Sequence, residues 1–345
     1  MTDVPRIRTG ESAEIEVVVP TIRSLENLEA WRKLLEGVHV IVVQDGDPDT
    51  PIEVPQGLNV TVYTRRDVER LLGERSWVIS RRDSGCRCFG FLVATAPYVY
   101  TLDDDCLPPA ASDPIQLHLA NLRSPAHPDY FNTLFDLEFV RGYPHALRSG
   151  HRTAISHGLW FEHPDLDAIT QSENPDLRVI AEVPIVQTVP RGVPYSMCGM
   201  NLAFDRQLVG PSLYFGLMGE GQPWGRYDDL WAGWCSKVIC DHLGYGVKTG
   251  RPYVVHRKAS DWRANLEREE AGMRWATRLF EFFRDVTFEP GLDDVGDCYL
   301  YLAGQVERAL VELDPYFGRL AEAMRVWVEL WRELAHVSSE SDRES

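Results

Sequence analysis

The 345 residues are 44% hydrophobic and 25% charged, an ordinary globular composition with material for one large domain, or one domain and an appendage. A formal net charge of −17, with no basic stripe to neutralise phosphates, excludes a nucleic-acid partner. No apolar run approaches the roughly 18 residues of a membrane helix and the first residues lack a signal layout, so a cytoplasmic protein without membrane insertion is expected.

In chain order, "IEVVVP" (15–20) reads as a buried strand and "LENLEAWRKLLEG" (25–37) as an amphipathic helix. "VHVIVVQDGD" and "LNVTVYT" are further strands, "RDVERLLG" and "SGCRCFGFLVAT" further helices, and "YVYTLDDD" (98–105) a fourth strand. Strands spaced by helices imply right-handed crossovers, hence an α/β fold with a mostly parallel sheet. The middle of the chain is irregular, with short strands expected at "FVRGYP" (139–144) and "NLAFD" (201–205). A helix is predicted over "RYDDLWAGWCSKVICDHLG", stopped at Gly244, and "RPYVVH" (251–256) closes the strands. Beyond Ser260 two apolar stripes at helical spacing predict a C-terminal helical region, with Asp314-Pro315 as cap and first helical position between them. The domain reading is a nucleotide-sugar-type catalytic unit over 1–256, a helical region over 257–336 packed on it or on a second copy, and a disordered tail over 337–345.

Seven scattered cysteines in apolar text read as reduced, buried thiols, and Cys86-Arg87-Cys88 lacks a second pair at zinc spacing. Only four of the 35 basic residues are lysine, which suits a GC-rich bacterial genome.

In parallel α/β sheets ligands sit beyond the carboxyl ends of the strands. Three polar clusters meet that edge: Pro20-Thr21, the "QDGD" segment with Asp45, and Asp103-Asp104-Asp105. Three adjacent carboxylates after a buried strand repel one another unless a cation offsets them, so the triplet points to a hard ion, Mg²⁺ or Mn²⁺, bridging phosphates. His256, at a late strand end, is the candidate further ligand. Asp228 and Asp229 open a helix, where one caps and the other is free to face the crevice. Arg82, Arg87, Arg141, Arg226, Lys248 and Lys258 are the candidate phosphate-binding cations. No G-x-G-x-x-G follows the first strand, and there is neither a Walker A loop nor a G-x-S-x-G elbow, so flavin, NAD, kinase-type and serine-hydrolase chemistry are not expected.

The runs "VVPTIR", "VVQDGDP", "DSGCRCFGF", "TLDDDC", "FVRGYP", "ISHGLW" and "MCGMNLAFDR" closely resemble the reversibly glycosylated polypeptide family, which includes plant UDP-arabinopyranose mutases of glycosyltransferase family 75. The likeness spans roughly Ile15 to Leu334. It implies a glycosyltransferase-A-like fold, a manganese-type ion on the acidic triplet, Asp45 facing the base, and pyranose–furanose interconversion of a nucleotide-linked sugar without flavin. It also implies reversible glycosylation of Arg141, as a covalent nucleophile or as an electrostatic stabiliser. UDP or GDP, and arabinose or a hexose of bacterial secondary metabolism, stay open as donor. A glycosyltransferase acting from the same site and a non-catalytic nucleotide-sugar-binding subunit are the alternative functions.

Overall fold

The computed structural model describes residues 14–131, 139, 141–257 and 261–341. Its strands are β1 (Ile15–Thr21), β2 (His39–Gln44), β3 (Val60–Tyr63), β4 (Tyr98–Leu102), β5 (Cys106–Leu107), β6 (Thr153–Glu162), β7 (Val186–Thr188), β8 (Asn201–Asp205) and β9 (Gly246–His256). The helices are α1 (Leu28–Trp31), α2 (Arg65–Leu72), α3 (Cys88–Val93), α4 (Pro114–Arg123), α5 (Ala168–Glu173), α6 (Arg206–Val209), α7 (Asp228–Leu243), α8 (Trp262–Asp285), α9 (Val295–Leu310) and α10 (Tyr316–Ser341). The strands form one sheet in the order β3-β2-β1-β4-β8-β6-β9-β5, with β7 on the flank of β9.

The first four strands of that order are parallel, as the βα alternation requires, and the α/β class is the one expected. Beyond β4 the sheet is mixed, because β8 runs antiparallel to both β4 and β6 while β6 and β9 are parallel to each other. Pairing of β6 with β9 slips twice, first between Thr153 and Ile155; at the second slip Gly158 faces Gly250 but Leu159 faces Tyr253, so β9 carries two additional residues there.

Every residue of β1 is buried, and its side chains alternate between two apolar layers. Val17 and Val19 join Trp31, Val40, Tyr100 and Val254 on one face, and Val18 joins Ile41, Phe91 and Leu202 on the other. The second layer extends without a break through Trp231, Leu302, Leu320 and Trp327, so the apolar stripes of α9 and α10 are buried within the chain itself. Trp327 is fully buried, stacks on Tyr214 at 5.1 Å and donates its indole N–H to Pro211 O at 3.0 Å. Trp327→Ala is therefore expected to cost about 3–5 kcal/mol, read as a lowered denaturant midpoint.

Three local expectations change. The helix expected over 25–37 contracts to the four residues of α1, because the Trp31 indole is drawn to Cys106 O (3.0 Å) and Gly37 turns the chain at φ +76°. The described part of "FVRGYP" is a bend rather than a strand, with Gly142 at φ +86°. Helix α10 is continuous to Ser341, and the last residues of the tail lie outside the described ones. Among the described residues no helix is long and apolar enough to cross a membrane.

Candidate active site

The acidic triplet fills the tight connection from β4 to β5, and each carboxylate turns to a different partner. Asp103 accepts from the guanidinium of Arg87, a residue only 1% exposed. Arg87 also donates to Thr101 Oγ1 (3.0 Å), Gly199 O (2.6 Å) and Ser84 O (3.0 Å), which uses its whole planar fork. Burial works against that charge, and Asp103 and Asp228 outweigh it. Asp104 accepts from Thr21 Oγ1 (2.7 Å) and from Arg23 through Nε (2.9 Å) and Nη2 (2.5 Å).

Asp105 lies 3.7 Å from His256 Nε2. His256 Nδ1 sits 2.8 Å from His163 O; a carbonyl only accepts, so Nδ1 carries a proton and Nε2 is the nitrogen that faces Asp105. Burial lowers the affinity of this ring for a second proton, but Asp105 more than restores it. Pairing of β5 with β9 produces this meeting, since Cys106 stands opposite His256.

A second acidic group lies at the head of α7. Asp228 accepts from Ser84 Oγ (2.5 Å), and Asp229 accepts from Gly199 N (3.0 Å) and Leu230 N (2.8 Å). Asp229, Asp165 and Cys198 bring ligand atoms within 4.8 Å of one another, the one group of that kind among the described residues. These side chains keep some surface yet are ringed by protein atoms. Burial, then Asp228 and Asp165, push Asp229 up to about 8, and burial also raises Asp165 and the Cys198 thiol. Asp45, which accepts from Asp83 N (3.0 Å), is pushed up to about 6 by burial, with Arg65 acting the other way.

The raised Asp229 gives a stability prediction. The folded state holds a proton that the unfolded chain releases near its ordinary pKa, so this contribution is complete at low pH and is lost as pH rises through about 8. Asp229→Asn removes the loss. Its midpoint in urea is expected to gain steadily on wild type between about pH 4 and about pH 8.

The remaining expected residues divide. Pro20 pairs with Val43 beside the Thr21 turn, at the same edge as the triplet. Arg226 is half-buried, its Nε 3.5 Å from Glu269 and its charge favoured by Asp165. Arg82 is exposed, at φ +51°, and pairs at 3.7 Å with Glu220. Lys248 is not brought to the acids: it is buried at the other end of β9 and donates to Asn121 O (3.0 Å) and Ser124 O (2.9 Å), carbonyls at the end of α4. Desolvation lowers its pKa to about 8. Lys258 lies outside the described residues.

Arg141 is exposed, and its carbonyl accepts from Tyr130 Oη (2.5 Å). Tyr130 packs on Tyr143 and Phe139, and Phe139 on His127, next to the bridge between Ala126 and His151. That bridge adjoins Thr153, the first residue of β6, whereas His256 pairs with Glu162, its last. Ten strand residues at about 3.3 Å each put roughly 30 Å between those levels. The structure thus anchors Arg141 at the opposite edge from the triplet.

Sequence reasoning did not single out Arg23, Asp83, Asp165, Cys198 or Glu269. Arg23 stands two residues after Thr21, so the strand-end rule that found Asp103 would have found it; Asp165 lies three residues beyond the end of β6, a strand the sequence pattern did not reveal.

A family model described as "Reversibly glycosylated polypeptide" matches residues 10–336. UDP-arabinopyranose mutase 1 of Oryza sativa subsp. japonica is 51% identical over 333 residues, covering 93% of this chain and 91% of that protein. UDP-arabinopyranose mutase 1 of Arabidopsis thaliana is 50% identical, covering 93% of each, and the probable UDP-arabinopyranose mutase 1 of Zea mays is 51% identical over 93% of this chain and 91% of its own length. These relatives are plant proteins, so they lend no support to a bacterial source. A match across nearly the whole chain, with half of all residues shared, makes this protein a member of the reversibly glycosylated polypeptide family.

Proposed function

We propose that this protein interconverts the pyranose and furanose forms of a nucleotide-linked sugar, with a UDP-linked pentose as the first candidate donor and a GDP-linked hexose as the second. The observation that carries the reading is the half identity, over 93% of the chain, to proteins named UDP-arabinopyranose mutase. The arrangement at the strand ends supports it, since Arg87, Arg23 and His256 surround the triplet where a diphosphate would lie.

A divalent ion, Mn²⁺ or Mg²⁺, is part of the proposal, and the residues present fit one. Asp105 and the oriented Nε2 of His256 supply an oxygen and a nitrogen at ligand-to-ligand spacing, with Asp103 adjacent. The Asp165–Cys198–Asp229 group fits less well, because a sulfur ligand is soft and Mn²⁺ and Mg²⁺ prefer oxygen donors. When bound, the ion would offset the charge of the diphosphate as it leaves and returns.

Ring contraction breaks the bond from C1 to the ring oxygen, joins C1 to O4, and moves one proton from the O4 hydroxyl to the former ring oxygen. A carboxyl group that titrates near neutrality can give and take that proton, and Asp229, pushed up to about 8, is placed for it beside Asp165. Arg226, steadied by Glu269, adds positive charge to the same wall. Arg141 takes part only if its segment relocates or a second copy presents it. Arg141→Ala is expected to bind a bare nucleotide diphosphate with unchanged affinity, measured by calorimetry.

The test is incubation of the purified protein with UDP- and GDP-linked pyranoses, with and without Mn²⁺, followed by chromatographic separation of ring forms. A furanose product with one donor is expected. No new peak with any donor overturns the reading, and transfer to an added acceptor without furanose would favour a glycosyltransferase.

A further inference from the structure

The middle of β6, from His157 to Trp160, holds a polar notch that the steps above do not use. His157 is 4% exposed. Its Nδ1 meets two hydroxyls, Thr249 Oγ1 at 2.9 Å and Tyr195 Oη at 2.7 Å, while its Nε2 is buried without a partner. Burial pushes the ring down to about 3, so it stays neutral and either tautomer leaves Nε2 unsatisfied. The indole of Trp160 stands edge-on to it at 6.1 Å, and its Nε1 is also buried and unpartnered. Native proteins seldom keep such atoms unless a ligand or water completes them.

Chain neighbours and packing link this pair to the carboxylates. Tyr195, 5.6 Å from His157, precedes by three residues Cys198, whose thiol bonds Asp165, and Trp160 packs against the apolar cluster that contains Cys198. The unpartnered indole nitrogens of Trp224 and Trp231 differ, since they lie in the aromatic core among the helices. An aromatic face with convergent hydrogen-bonding atoms is what a sugar ring requires: C–H groups against the indole, hydroxyls to the nitrogens.

Resting on the mutase reading, we infer that His157 and Trp160 form the hydroxyl-reading wall of the sugar subsite. The diphosphate lies towards Arg87 and Arg23, and the sugar hydroxyls reach back to Nε2 and the indole N–H. These two residues govern which sugar is accepted and leave the nucleotide alone.

The test is calorimetric titration of the full chain with UDP, UDP-linked pentopyranose and hexopyranose, and the GDP counterparts. Wild type is compared with Trp160→Phe, which removes the N–H but keeps an aromatic face, and with His157→Phe. Wild type is expected to bind its sugar nucleotide more tightly than the bare diphosphate. Each variant should shrink that preference by about three- to tenfold while bare-diphosphate affinity holds. An undiminished preference in folded Trp160→Phe overturns the inference and leaves the notch to water; should His157→Phe not fold, Trp160→Phe decides alone. Absence of any sugar preference in wild type overturns this inference, while the ring-form assay alone decides the mutase reading.

Discussion

Arg87→Met is expected to abolish nucleotide binding and to cost about 3–5 kcal/mol of stability, the largest loss from any single substitution at this site. Two effects add. The guanidinium has four partners, and its removal strands Gly199 O and Ser84 O inside the protein as acceptors without donors. It also leaves Asp103, 30% exposed, without a counter-charge next to Asp104 and Asp105. The partial exposure of Asp103 puts the expected cost at the lower end of that range. Denaturant unfolding measures the first effect and calorimetry with UDP the second. A companion, Arg87→Met with Asp103→Leu, separates the two costs: stability should return in part, because Asp103 no longer leaves a lone charge while Gly199 O and Ser84 O stay without a donor, and binding stays absent.

The second large effect concerns the cation. Exhaustive chelation is expected to silence the enzyme, and Mn²⁺ to restore it. Asp105→Asn and His256→Gln should each lower kcat by roughly two to three orders of magnitude and raise the Mn²⁺ concentration needed for half activity by about ten- to a hundredfold. Their unfolding midpoints should stay near that of wild type, since Asp105 and His256 meet only at 3.7 Å and His256 keeps its bond to His163 O through either amide or ring N–H. Activity that survives chelation intact would remove the ion from the mechanism.

Strong local signals were readable in the amino-acid text. β1, β2 and β4 are short, mostly apolar runs, and α7 ends where Gly244 adopts the left-handed conformation, so each appeared close to its observed place. The triplet was legible for the same reason, a break in an apolar pattern at a strand end. β6 was not, because His157 and Gly158 interrupt its apolar text and its neighbours β8 and β9 begin far along the chain, at Asn201 and Gly246. With β6 unseen, Asp165 beyond its end had no context. Lys248 shows the converse limit. As a basic residue it stood among the candidate phosphate-binding cations, but a side chain in a strand points to one face or the other, and here that face covers the end of α4. Partners so distant in the chain are set by tertiary packing, which short-range pattern does not encode.

The second slip between β6 and β9 acts as a length setting. Without the two additional residues in β9, continuation of the Gly158–Gly250 pairing would carry His256 two positions past Glu162, about 7 Å beyond its present level. Because the surplus is even, the alternation of faces survives and only the reach of the strand shortens. The imidazole therefore stops opposite Cys106, level with the triplet, by virtue of how much chain is taken up six residues earlier. A one-residue deletion at Arg251 would both lengthen the reach and turn the ring to the other face, making the depth and the aim of a distant side chain properties of a stretch whose own ion pair is with Glu182.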